Sequence, residues 1–135
     1  RGFPGLFLGS VPYQEMPELV ASSDIGVAPY DTSRLSQMRL GFYWSPLKIF
    51  EYMASGLPTL TIGKPPLTEI VRDGLEGLHF REGDPGDLAR GIARLADEKG
   101  LRAEMGRSAR ERVCSSYSWA RHCEQLETVL RRIAL

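Results

Sequence analysis

Short apolar runs alternate along this chain with stretches in which apolar residues recur every three or four positions, and that alternation predicts strand followed by helix throughout. Leu6, Phe7 and Leu8, closed by Gly9, predict a first buried strand. Residues 12–23 predict a helix through the spacing of Met16, Leu19 and Val20, with Pro17 tolerated in its first turn. Residues 25–28 predict a second strand, ended by Pro29, and residues 30–45 follow with no period, as a long loop of the kind that is usually functional. Residues 46–55 predict a helix with Ser45 as N-cap, Pro46 at its first position and Gly56 as its stop. Residues 57–62 and 77–80 predict a third and a fourth strand on either side of a short helix at 66–72, which Asp73 and Gly74 end. Asp84 opens a helix whose face carries Leu88, Ile92 and Leu95, with Gly100 breaking it. Two more helices follow at 102–115 and 118–134. The apolar stripe of the last is Trp119, Cys123, Leu126, Leu130 and Ile133, with Trp119 expected in the core.

Strands alternating with helices predict an α/β fold, a Rossmann-like parallel sheet of about four strands with helices on both faces. Ligands of such sheets bind beyond the carboxyl ends of the strands, which directs attention to residues 9–11, 29–48 and 63–66. The chain's 135 residues suit one domain spanning 1–135. Its 17 Lys and Arg balance 17 Asp and Glu, so no overall field draws in nucleic acid. The late arginines Arg102, Arg107, Arg110, Arg112 and Arg121 are interleaved with Glu104, Glu111 and Glu124, which reads as a solvated helix surface. No apolar run approaches the roughly 20 residues that span a bilayer. Cys114, Cys123, His79 and His122 do not have zinc-ligand spacing, and two unpaired cysteines agree with a reducing cytoplasm.

The densest local signal is the stretch from Ser45 to Pro58, a loop leading into a capped helix, then a tight stop and a strand. The first amides of a helix have no partner within it, and the helix dipole adds roughly half a positive charge at that end, so together they form an anion site. Lys48 in the first turn opposes the dipole, which a bound polyanion would explain; Lys48 as an i,i+3 partner of Glu51 is the plainer alternative. Glu51 lies one turn on, and an ionised carboxylate accepts two hydroxyl hydrogen bonds at once, as a ribose diol requires; an ordinary solvent-facing glutamate is again the alternative.

From Leu6 onward the chain resembles the C-terminal, donor-binding domain of group 1 glycosyltransferases of the GT-B fold. The residues that carry the resemblance are Phe7-Leu8-Gly9, the run from Ser23 to Pro29, Pro46, Lys48, the run from Phe50 to Ala54, Gly56 and Pro58. Glu69-Ile70-Val71, Asp73-Gly74, Gly77, Asp84, Met105-Gly106, Ala109-Arg110 and Tyr117-Ser118-Trp119 continue it in the same order. The resemblance implies retaining transfer of a sugar from a nucleotide diphosphate sugar, with no metal or other cofactor. It implies that Glu51 holds the ribose hydroxyls, that Ser45, Pro46, Leu47 and Lys48 meet the diphosphate, and that Val11 and Pro12 pack along the base. Glu51 and Lys48 are then the candidate catalytic residues, since positive groups stabilise the charge that builds on the leaving diphosphate.

The resemblance also implies a partner. The family's acceptor is held by an N-terminal domain, and a basic pair ahead of this region clamps the diphosphate. The chain is therefore expected to be the later part of the nucleotide-sugar-binding domain of a two-domain enzyme, inactive alone. Any peripheral membrane contact is left to the missing parts. The last helix region crosses back to the first domain in that family, and its outer surface is expected to be an interface. With the strands ahead of Leu6 missing, Leu6–Leu8 is expected to pair directly with the strand at 25–28, or else with a second copy of the chain through open sheet edges. Many family members carry two glutamates separated by seven residues; the first would fall at Tyr43, so the grip on the sugar differs here. Tyr30, Tyr43 and Trp44 are the loop's aromatics, suited to packing or to stacking on a ring. Two other readings compete. Lys64-Pro65 after a strand resembles a response-regulator receiver, but no acidic pair follows Leu8; a dinucleotide oxidoreductase would need a G-x-G-x-x-G run, which is absent.

Overall fold

A computed structural model describes residues 5–32 and 45–133. Among these residues the sheet has three parallel strands, β1 (Gly26–Ala28), β2 (Thr59–Ile62) and β3 (Gly77–Phe80), in the order β1-β2-β3. Val27 lies beside Leu60, and Leu60 beside Leu78. All four residues of β2 are buried, as a central strand covered on both faces must be. Around the sheet lie α1 (Met16–Ala21), α2 (Leu47–Ala54), α3 (Leu67–Ile70), α4 (Pro85–Asp97) and α5 (Lys99–Ser116), followed by α6 (Trp119–Ile133). The core joins Ile49 and Met53 of α2 to Leu60 and Ile62 of β2, Leu67 of α3, Leu95 of α4 and Met105 and Ala109 of α5.

Two close approaches fix α2. Gly56, at φ 73°, turns the chain out of the helix, a conformation that glycine adopts without steric cost. A Cβ on Gly106 of α5 would lie 2.1 Å from the Gly56 carbonyl oxygen, so α5 meets the end of α2 backbone to backbone. At the other contact, a Cβ on Gly26 of β1 would lie 2.4 Å from Cδ2 of Tyr52, so the tyrosine ring rests directly on the strand.

Several expectations are corrected. Leu6, Phe7 and Leu8 form no strand; they are 84%, 96% and 54% exposed, and among the described residues β1 pairs only with β2. Among the described residues the sheet thus has three strands where the sequence predicts about four, and Leu6–Leu8 does not slide in beside β1. With no paired neighbour and little apolar surface buried, nothing offsets the entropy of ordering this run as a strand. The helix expected at 12–23 is a 3-10 turn at Tyr13–Glu15 followed by the short α1. Gly100 does not break a helix, since it lies in the first turn of α5, and the break falls at Glu98. Asp84 does cap α4, its carboxylate accepting from the Asp87 amide at 2.9 Å. Trp119 is 79% exposed rather than in the core, and no residue of α6 is buried. Its stripe has the right spacing, but nothing packs closely enough on it to bury any of its residues.

Candidate functional site

The segments that leave β1, β2 and β3 meet at the carboxyl end of the sheet. Pro29 ends β1, and Tyr30 closes a turn there, its amide donating to the Ala28 carbonyl at 3.0 Å. The chain re-enters at Ser45 and starts α2 one residue later than the sequence predicts. Pro46, not Ser45, is the N-cap, and it makes no side-chain cap. Ser45 contributes its carbonyl instead, accepting from the Leu47 amide at 3.0 Å, while the Pro46 carbonyl accepts from Ile49 at 2.9 Å. A proline has no amide and a buried ring, which favours it where the chain bends into a helix.

Helical periodicity then sorts the side chains of α2. Ile49 and Met53, four apart, are buried against the sheet. Lys48 and Tyr52, also four apart, face the end of β1. The Lys48 ammonium lies 5.1 Å from the centre of the Tyr30 ring, and Tyr52 sits over Gly26. Burial pushes the Tyr52 hydroxyl above its ordinary acidity range, and the Glu51 carboxylate adds to the shift; Tyr30 is raised by burial and by Tyr52. Both hydroxyls therefore stay protonated at neutral pH. Leu47 and Glu51, the third pair four apart, face the opposite flank, and both are exposed.

That flank opens on two adjoining cavities. One, of 610 Å³, is lined by Ser45 and Leu47 together with Phe50, Tyr117 and Trp119. The other, of 340 Å³, is lined by Glu51 and Ala54 and shares Leu47, Phe50, Tyr117 and Trp119 with the first. Phe50 and Tyr117 pack ring to ring at 5.2 Å between centres and form the floor. Ser45, Leu47 and Glu51 therefore share one aromatic-lined groove, and Lys48 stands on the other side of the helix start. Val11 is half-buried and Pro12 exposed, ahead of the 3-10 turn, and neither lines these cavities. Tyr43 and Trp44 lie outside the described residues.

A second cluster sits at the same end of the sheet, unassigned by the sequence reading. Glu82, just past β3, accepts from the ammonium of Lys64, just past β2, and from the main-chain amide of Thr32, just past β1. Lys64 also donates to the Thr32 hydroxyl at 2.8 Å. Burial alone would raise the Glu82 carboxyl, but the hydrogen bonds from Lys64 and Thr32 outweigh it and hold it down at about 2. The signal for this cluster was topological. In a parallel sheet the residues after each strand share one end, and the segment after β3 belonged with those after β1 and β2. No group of three or more His, Cys, Asp or Glu side chains that could hold a metal occurs among the described residues. Cys114 and Cys123 are free and exposed. No described helix is long and apolar enough to cross a membrane.

The fold is that of a parallel α/β domain, with a helix start, a cation on an aromatic ring and a carboxylate one turn away near the carboxyl end of its sheet. Comparison with known proteins gives the family. The family model described as glycosyl transferase-like matches residues 4–128, and the chain belongs to that family. It is 27% identical over 121 residues to a sulfoquinovosyl transferase of Arabidopsis thaliana, covering 87% of this chain and 22% of that protein. It is 34% identical over 92 residues to a sucrose synthase of Acidithiobacillus caldus, covering 63% of this chain and 11% of that protein. Among solved structures, a sucrose-phosphate synthase from Thermosynechococcus elongatus matches with a TM-score of 0.77 at 22% identity, over 95% of this chain and 30% of that one. The chain thus spans less than a third of the length of each of these relatives. The resemblance to group 1 glycosyltransferases of the GT-B fold holds, and the receiver reading finds no support.

Proposed function

We propose that this chain is the donor side of a retaining glycosyltransferase and binds a nucleotide diphosphate sugar at the start of α2. The Glu51 carboxylate accepts from the ribose hydroxyls. The turn from Ser45 through Pro46 and Leu47 to Lys48 meets the diphosphate, and the Lys48 ammonium offsets charge on the leaving group. Val11 and Pro12 border the base. The observation that carries the reading is an exposed Lys48 and an exposed Glu51 on the two flanks of the first turns of a helix that starts at the carboxyl end of a parallel sheet. The diphosphate charge is met by protein groups, with no metal or other cofactor, and the reaction belongs to the cytoplasm.

The acceptor is held by a domain outside this chain, a reading supported by the greater length of the relatives. The exposed stripe of α6, with Trp119, Leu126, Leu130 and Ile133, is the surface that meets that domain. Calorimetry with UDP, ADP and GDP tests the donor site. At least one binds, and Glu51→Ala weakens it by roughly 1.5–3 kcal/mol, about 10- to 150-fold, the range for hydrogen bonds to a charged group. Affinity unchanged by Glu51→Ala contradicts the assignment of Glu51. Offered nucleotide sugars, the chain alone releases no nucleoside diphosphate above background hydrolysis; release abolished by Glu51→Ala would show that acceptor-side groups are not needed.

A further inference from the structure

We infer that Glu82, Lys64, Thr32 and Tyr30 are positioning residues that hold the Lys48 ammonium at the mouth of the donor site, an inference that rests on the donor-site reading above. Lys48 stands on a flexible stem, and in the first helical turn its charge is repelled by the helix dipole. Left to itself it would swing into solvent. The face of an aromatic ring offers the opposite electrostatic sign, and the Tyr30 ring lies 5.1 Å from the Lys48 nitrogen. The ring can act as a platform only if its own backbone is fixed.

The backbone is fixed from both sides. Upstream, the Tyr30 amide is tied to the Ala28 carbonyl at the end of β1. Downstream, two residues on, Thr32 is held by its amide to Glu82 and by its hydroxyl to Lys64. Glu82 and Lys64 are bonded to each other, so the three segments that leave β1, β2 and β3 are closed into one knot. Glu82 is 15% exposed, while the Lys64 side chain that joins it remains half exposed. Tyr30 also lines a cavity with Phe80, Gly83 and Pro85, so the β3–α4 turn stands beside it. Such a chain of contacts transmits the position of Glu82 to Lys48 without Glu82 approaching any ligand.

The test has two arms on the intact chain. In the first, the Lys48 side-chain methylene next to the nitrogen is followed by NMR with no ligand present. Its protons are expected to be shifted upfield by the Tyr30 ring in the wild type and in Tyr30→Phe. The shift is lost in Tyr30→Leu and diminished in Glu82→Gln. An unshifted Lys48 in the wild type, or a shift indifferent to Glu82→Gln, overturns the inference. In the second arm, inorganic pyrophosphate and UDP are titrated by calorimetry. Tyr30→Leu and Glu82→Gln are expected to weaken binding roughly 2- to 5-fold, Tyr30→Phe to restore it, and both losses to vanish in a Lys48→Ala background. Equal losses with and without Lys48 mean that the knot acts through general stability, which overturns the inference. A wild type that binds neither compound while Lys48 shows the ring shift overturns the donor-site reading and leaves the positioning of Lys48 standing.

Discussion

Gly26→Ala probes the joint between the sheet and the site. The added Cβ would lie 2.4, 2.5 and 2.8 Å from Cδ2, Cγ and Cβ of Tyr52. Carbon atoms rest at about 3.5–4.0 Å, so the tyrosine must retreat by roughly 1 Å, and α2 must carry part of that movement. Overpacking of this kind costs about 1–3 kcal/mol, while replacing glycine by alanine returns about 0.4–1 kcal/mol through the unfolded chain. The net loss is then about 0.5–2 kcal/mol, a fall in Tm of roughly 2–10 °C for a chain of this length. Thermal unfolding followed by circular dichroism measures it, and a double-mutant cycle with Tyr52→Ala assigns the cause. In the Tyr52→Ala background Gly26→Ala should be neutral or slightly stabilising, because the clash is gone. The same destabilisation in both backgrounds would refute the account of how α2 is seated, and with it the link from β1 to Lys48 one turn before Tyr52.

Two further outcomes follow from the acidic groups. Glu76 is fully buried, accepting from the Arg72 amide at 2.9 Å and from Arg72 Nε at 3.1 Å. Glu76→Gln places an amide N–H opposite one of those donors, and chemical denaturation should show a loss of about 1.5–3 kcal/mol, short of a fully buried pair because Arg72 is half exposed. Burial raises the Glu76 carboxyl, but the Arg72 hydrogen bonds and charge outweigh this and lower it, as Lys64 and Thr32 lower Glu82 to about 2. Both folded values lie below the unfolded one of about 4.3, so their stabilisation is complete above that pH and is lost as pH falls, for Glu82 through about 2. Tm should therefore drop between about pH 4.5 and pH 2, and the Glu76→Gln, Glu82→Gln double variant should flatten that drop.

The parts of the fold legible in the sequence are those whose apolar spacing had an answering surface within the chain. Leu60 and Ile62 of β2 and Ile49 and Met53 of α2 are buried where their pattern places them, because each faces the other across a packed layer. Leu6–Leu8 and Trp119 carry equally apolar signals and are exposed, because pattern reports what a segment would bury and not whether a surface is there to meet it. The N-cap shifted from Ser45 to Pro46 by the ordinary uncertainty of helix ends. At the site, Lys48 and Glu51 could be singled out because their neighbourhood is local, one helix and its entry. Tyr30, Thr32, Lys64 and Glu82 could not be joined in advance, since the hydrogen bonds among Thr32, Lys64 and Glu82 span 18 to 50 positions and exist only once three strands are in register.

The location of the donor is tested most directly by NMR of the isotope-labelled chain as a nucleoside diphosphate is added. The amides of Leu47, Lys48, Ile49 and Glu51 are expected to shift first and together, the shifts to saturate, and Glu51→Ala to remove them at the same concentrations. Shifts confined to the outer face of α6, around Arg121, Glu124 and Thr128, with the start of α2 unmoved, would contradict it.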